Sequence, residues 1–344
     1  MAAEPVIEGA KKSFEFYRGD GRKVTERGME TPAYDPPAGA DAPAGYVAGE
    51  GLRDAVNVAL LLGQPLLVTG EPGTGKTQLA YSVAYELELG PPVVFHTKTT
   101  SAAKDLFYRY DALRHFNDVN IIKKDEAPGL SVEDDAGVVK KDEAEKSPVE
   151  GYIKYEALGK AILRARGEAG APPTRSVVLI DEVDKAPRDF PNDILHEIDK
   201  FSFTVSETGR TFTADARSRP IVILTSNSEK NLPDAFLRRC VFYHIPPPGH
   251  AQLKEIAQRR LEMHDGFPAV LDTLITHFEE IRTLALRKRP ATAELLAWLG
   301  VLDRLKVDEA ALQPGRAEAL AFTYAILAKN KDDKDLMQRL KFKL

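Results

Sequence analysis

The sequence predicts an α/β fold: a parallel sheet with helices on both faces, followed by a small all-helical domain. Three observations predict it. Short continuous apolar runs, rich in β-branched residues, alternate with segments of helical period, the pattern of a parallel sheet buried on both faces. One of these runs ends in a glycine-rich loop that opens directly into a helix. After Ile245 the sheet-like runs stop, Pro246-Pro247-Pro248-Gly249 forms a stiff hinge, and every later segment has helical period.

Length and composition set the frame. The 344 residues, 43% hydrophobic and 29% charged, suit roughly two soluble domains. The N-terminus is not signal-like, and no apolar run is long enough to span a bilayer. A single cysteine, Cys240, excludes an intrachain disulfide framework and fits a reducing compartment, so a cytoplasmic location is expected. The net charge of −5 is concentrated: ten acids and five lysines lie between Asp118 and Glu150, a net of −5 in one segment. No basic stripe stands out, which argues against a nucleic-acid partner.

The elements follow in order. Residues 1–43 become Pro-, Ala- and Gly-rich toward their end and read as an extended arm or linker. Leu52 to Leu62 has helical spacing. Pro65 to Thr69 is a buried strand, and Gln78 to Leu89 a helix with Leu79, Ala80, Val83, Ala84 and Leu87 as its apolar positions. Pro92 to Thr97 is a second strand. A helix is predicted over Ala102 to Phe116, with Leu106, Phe107, Tyr110 and Leu113 on one face. The acidic insertion, 118–150, is too polar to build a core and reads as a loop. Tyr155 to Arg166 returns to helical period.

Ser176 to Ile180 is an apolar strand ending in Asp181-Glu182, and Ile194 to Ile198 is helical. Phe201 to Val205 and Arg210 to Thr213 flank Glu207-Thr208-Gly209 and read as a hairpin. Ile221 to Thr225 is a strand ending in Ser226-Asn227, and Leu232 to Cys240 holds a short helix. Helices are expected over His250 to His264, Ala269 to Ala285, Ala291 to Leu305 and Arg316 to Ala328. The domains are then an extension over 1–43, a sheet domain over 44–245 carrying the insertion, and a helical domain over 246–344.

The chemistry starts at Gly70-Glu71-Pro72-Gly73-Thr74-Gly75-Lys76-Thr77, a complete G-x-x-x-x-G-K-T loop between strand and helix. Glycines let backbone N–H groups curl around phosphates, and the helix N-terminus adds positive potential there. Lys76 can reach β- and γ-phosphates, and the Thr77 hydroxyl can ligate Mg²⁺. Gln78, the next residue, joins the candidate nucleotide contacts.

Asp181 and Glu182 emerge at the carboxyl end of a strand, where ligands bind in open α/β sheets. Asp181 is a candidate Mg²⁺ ligand, direct or through water, and Glu182 a candidate base for the attacking water. Asn227, at the end of the next apolar strand, suits either a water-orienting amide or a turn. Arg238 and Arg239 are either surface charges or cations for a transferring phosphoryl group, serving a neighbouring subunit.

The ordered set GEPGTGKT, VVLIDE, ILTSN and LPDAFLRRC, followed by a helical region, resembles an AAA+ ATPase over about 44–305. Pro65-Leu66-Leu67-Val68 before the loop and Lys288-Arg289-Pro290-Ala291-Thr292-Ala293-Glu294 resemble the MoxR-like branch. The resemblance implies Walker A roles for Lys76 and Thr77, Walker B roles for Asp181 and Glu182, and a sensor 1 role for Asn227. It implies an arginine finger at Arg239, with Arg238 second, and adenine contact near Tyr46-Val47. It also implies a branch-specific insertion between Ala102 and Gly151 and a hairpin at Glu207 to Thr211 facing a ring. One departure stands out: Glu294 occupies the place of the expected sensor 2 arginine, with Arg287, Lys288 and Arg289 nearby. Slow hydrolysis is expected from that.

The leading expectation is an ATP- and Mg²⁺-dependent ATPase that forms a ring, a hexamer in this family, and remodels a protein client. A partner with a von Willebrand factor A domain fits the MoxR-like branch, and no membrane partner is expected. The alternatives are a nucleotide-regulated switch or scaffold with slow turnover, and a nucleic-acid motor or loader.

Overall fold

The computed structural model describes residues 42–125, 149–167, 171–229, 232–313 and 317–340. Contacts divide these into two compact units: residues within 1–53, 70–85 and 244–344 form one, those within 54–69 and 86–243 the other. The expected arm lies outside the described residues apart from its last two, as does the middle of the insertion, 126–148.

The second unit is built on a five-stranded sheet. Its strands are β1 (Leu66–Gly70), β2 (Val93–His96), β5 (Val177–Asp181), β8 (Ile221–Ser226) and β9 (Val241–Ile245), in the order β2-β5-β8-β1-β9. The β2–β5, β5–β8 and β8–β1 pairings are parallel, with Phe95 beside Ile180, Ile180 beside Leu224 and Thr69 beside Ser226. The carboxyl ends of these strands therefore share one edge. β1, β5 and β8 are buried at every position, which explains their continuous apolar runs. β9, which periodicity had not marked, alternates in burial beyond β1.

In chain order the helices up to the last strand are α1 (Glu50–Leu62), α2 (Lys76–Glu86), α3 (Ala112–Asp125), α4 (Ala157–Arg166), α5 (Phe190–Asp193), α6 (Leu195–Lys200) and α7 (Asp234–Leu237); α3 to α7 belong to the same unit as the sheet, and α2 to the other. Two short antiparallel pairs complete this part of the chain: β3 (Tyr108–Tyr110) with β4 (Ile153–Tyr155), and β6 (Ser202–Val205) with β7 (Arg210–Thr213), the expected hairpin.

The helix expected over 102–116 is corrected. Ala103–Leu106 is one 3-10 turn, Tyr108–Tyr110 is strand, and a new helix starts at Ala112, where Asp111 Oδ1 accepts the Arg114 N–H at 2.9 Å. The reason is aromatic packing. Phe107 and Tyr108 are buried against Phe203, ring centroids 5.3 and 6.3 Å away, and extended backbone suits such residues. Leu113 is exposed instead of sharing one apolar face with Leu106, Phe107 and Tyr110. The same helix runs to Asp125, so the insertion's first residues are helical, against the loop expected from 118 onward.

The other unit has its own core in α8 (His250–Arg260), α9 (Phe267–Thr283), α10 (Thr292–Arg304), a 3-10 stretch (Ala317–Ala325) and α11 (Lys331–Gln338). Phe267, Phe278, Trp298 and Leu302 are fully buried there. The segment expected as helix from Arg316 is 3-10, and α11 was not anticipated. No helix among the described residues is long and apolar enough to cross a membrane.

Candidate functional site

The phosphate loop joins β1 to α2, whose first residue is Lys76. Gly73 and Gly75 have φ of +79° and +87°, a region that disfavours side chains. Both are also sterically pinned. A Cβ on Gly75 would meet the Tyr46 ring at 3.2 Å, and one on Gly73 would meet the Ala291 methyl at 3.0 Å. Tyr46, expected near adenine, thus lies against the loop itself, and Val47 follows it, half-buried.

Lys76 is buried, and its Nζ donates to the carbonyls of Gly70 and Glu71 at 2.8 and 2.9 Å. The Thr74 hydroxyl donates to the Glu71 carbonyl at 2.9 Å. The lysine and the loop hydroxyl are therefore folded onto loop backbone. Thr77 and Gln78 stand half-buried in the first turn of α2.

The helical region supplies a contact that sequence reasoning missed. Arg282 near the end of α9 pairs with Glu71 of the loop, Nη2 to Oε2 3.1 Å, and its side chain is largely buried. Their separation of 211 positions leaves no local signal. Glu294 comes close to the loop at Gly73 but has other work: its Oε2 accepts the Ala291 N–H at 3.1 Å and Oε1 pairs with Lys329 at 3.3 Å. Of the nearby cations, Arg287 pairs with Asp332 at 2.8 Å, and the Lys288 N–H donates to Asp333 at 3.1 Å.

The acids at the sheet edge form a second cluster. Asp181 ends β5, and Glu182 follows in a left-handed conformation, φ 57° and ψ 51°. The buried Thr225 of β8 donates its hydroxyl to Asp181 Oδ1 at 2.6 Å and accepts the Glu182 N–H at 2.8 Å. On the other side of Asp181, His96 Nδ1 lies 3.6 Å from Oδ2, as the β2–β5 register dictates. The Glu182 carboxylate pairs with Lys185 in the next turn, and this bond raises the lysine's pKa.

Asn227 is exposed just beyond β8, and its N–H donates to Asp184 Oδ1 at 3.3 Å. Asp184 and Lys185 were not among the expected residues; both follow Asp181-Glu182 in a 3-10 turn. Arg238 and Arg239 are exposed after α7, and Arg239 Nε lies 3.6 Å from Asp199 Oδ2. Cys240 beside them is partly buried, and burial with the neighbouring Asp199 pushes its thiol up to about 12, so it is no nucleophile at neutral pH.

These parts match known proteins at family level. No curated protein matches the chain. Among solved structures, a RuvB mutant from Thermotoga maritima is similar: 14% identical, over 79% of this chain and 77% of that one, with a TM-score of 0.36. Residues 66–246, more than half of the chain, match the ATPase family associated with various cellular activities (AAA). That span holds the glycine loop on β1, the acids ending β5 and the asparagine following β8, and the chain belongs to the AAA family.

Proposed function

We propose that this protein binds and hydrolyses ATP with Mg²⁺ and couples turnover, within a ring, to remodelling a protein partner in the manner of the MoxR-like branch. The observation that carries it is that one chain holds both a complete phosphate loop and an Asp-Glu pair at the carboxyl end of a parallel strand.

The residues fit the groups this chemistry needs. Gly73 and Gly75 hold the loop at positive φ, with no room for a Cβ beside Ala291 and Tyr46, and such glycine backbone can turn its N–H groups toward a phosphate. Thr77 and Asp181 are hard oxygen donors, and Mg²⁺ is commonly held by one or two protein oxygens together with substrate phosphates. The ion would neutralise charge on phosphate oxygens.

In this reading Gly70 to Thr77, with Gln78, bind the phosphates, and Lys76 leaves the loop carbonyls to pair with them. Asp181 holds the ion, Glu182 takes the proton from water, and Asn227 orients that water. Glu182 must leave Lys185 to do so. Arg282 is the cation that the helical region brings to the loop, in place of an arginine at Glu294. Arg239, or Arg238 beside it, acts on the phosphate site of the next subunit. Tyr46, which lies against the phosphate loop, and Val47 after it are the proposed contacts to the base. The domains are those read from the chain: an extension over 1–43, a nucleotide-binding domain over 44–245 and a helical lid over 246–344, in the cytoplasm.

The test is ATPase activity against protein concentration. Lys76→Ala weakens nucleotide binding. Arg239→Ala leaves binding intact and abolishes concentration-dependent turnover, and mixing the two variants restores part of it. Activity per subunit that is unchanged on dilution to proven monomers contradicts the ring. No ATP hydrolysis by the wild type contradicts the enzyme.

A further inference from the structure

We propose that Thr225 is a positioning residue of the hydrolytic site, its buried hydroxyl fixing Asp181 and Glu182 relative to each other. The proposal rests on the ATPase reading of those two acids.

The hydrogen-bond directions follow from chemistry. The Glu182 amide can only donate, so the Thr225 oxygen must accept it, at 2.8 Å. The single hydroxyl proton is then committed to Asp181 Oδ1, at 2.6 Å. That bond holds the Asp181 carboxyl group in one orientation. Thr225 is 1% exposed and Asp181 8%, so the bond between them does not compete with bulk water.

The backbone explains why such a tie is needed. In an extended strand, consecutive side chains point to opposite faces, so adjacent acids would part company. The chain leaves the strand at Glu182 through a left-handed conformation that non-glycine residues rarely hold without support. The Thr225 hydroxyl accepts from the amide of that residue. Its other bond reaches the preceding side chain, so one oxygen sets both the ion ligand and the turn that aims the base.

Residue choice points the same way. Ile221, Val222, Ile223 and Leu224 precede Thr225 on a wholly buried strand. Valine would continue that apolar run with the same shape. A hydroxyl buried there needs partners, and the partners it has are the Asp181 carboxyl group and the Glu182 amide.

Thr225→Val removes the hydroxyl and keeps the shape, and Thr225→Ser keeps the hydroxyl. Three readouts are compared with wild type: kcat, the Mg²⁺ concentration for half-maximal rate, and amide exchange at Glu182 by NMR. Thr225→Val is expected to lower kcat roughly 10- to 100-fold, the range for residues that orient metal ligands. It also raises the Mg²⁺ requirement and speeds exchange at Glu182. Thr225→Ser stays within about threefold of wild type on the same scale. If Thr225→Val does not fold, Thr225→Ala carries the same expectation.

Wild-type kcat and Mg²⁺ dependence in a folded hydroxyl-free variant overturn the role. So does equal impairment of the Ser and Val variants, which would make the methyl the important group. A wild type without Mg²⁺-dependent hydrolysis overturns the ATPase reading and this role together, whereas an active wild type matched by Thr225→Val overturns this role alone.

Discussion

Thr225 lies in the sheet unit and is 1% exposed; Thr323 lies in the helical unit and is 2% exposed. Each accepts one N–H and donates one proton. Thr225 accepts from the Glu182 amide and donates to Asp181, while Thr323 accepts from Trp298 Nε1 at 2.8 Å and donates to the Leu320 carbonyl at 2.7 Å. The first set of bonds ends on a carboxylate at a sheet edge. The second closes within a core, next to a buried His277–Tyr324 pair 2.7 Å apart. Identical hydroxyl chemistry thus joins two acidic residues at a sheet edge in one unit and ties a 3-10 stretch to α10 in the other. What a buried polar group reaches decides its role, more than its burial does.

The sharpest way to break this comparison is to remove both hydroxyls in separate proteins. Thr225→Val should lower kcat roughly 10- to 100-fold. Thr323→Val should leave kcat within about twofold, since nothing it touches belongs to the proposed reaction. Equal losses of kcat in the two variants would erase the distinction.

A second effect belongs to the helical unit and to pH. Burial lowers the His277 pKa to about 4, with Glu280 partly opposing. An unfolded histidine titrates near 6.5, so below that pH the unfolded chain binds a proton that the fold refuses. Stability should therefore fall from about pH 6.5 to about pH 4, by up to about 3 kcal/mol from this residue, and level off below. His277→Gln should flatten that part of the curve in urea titrations. An unchanged slope would place the acid sensitivity elsewhere.

Smaller still is the stability cost of Thr323→Val, about 1–3 kcal/mol, because the Leu320 carbonyl and the Trp298 N–H lose a buried partner. A melting temperature equal to wild type would show that these groups find other partners.

The smallest expected effect is at Lys185. Its ion pair with Glu182 is half-exposed on both sides, and exposed pairs contribute little. Lys185→Met should raise kcat by about fivefold at most, since Glu182 no longer has to leave a partner. A fall of more than about tenfold would instead make Lys185 part of the reaction.

What could be read from the sequence divides along the same line. The phosphate loop is contiguous, its glycines answer to local backbone geometry, and the strands that carry it and the acids are unbroken apolar runs. Thr225 reads as an ordinary strand residue until Asp181 is seen beside it. Arg282 meets Glu71 only through the tertiary fold. Tyr108 to Tyr110 has spacing compatible with a helix, and only packing on Phe203 and pairing with β4 turns it into strand. Glu294 stands where an arginine was expected, and the fold uses it to cap α10.

The central claim is that Glu182 drives hydrolysis of ATP held by the phosphate loop. Single-turnover hydrolysis, with protein in excess over ATP and bound nucleotide measured in parallel, tests it most directly. The wild type should convert bound ATP to ADP and phosphate. Glu182→Gln should bind ATP equally well and convert it roughly 10²- to 10⁴-fold more slowly, the span expected for a lost general base. Bound ATP left intact by the wild type, or converted at the same rate by Glu182→Gln, would contradict the account.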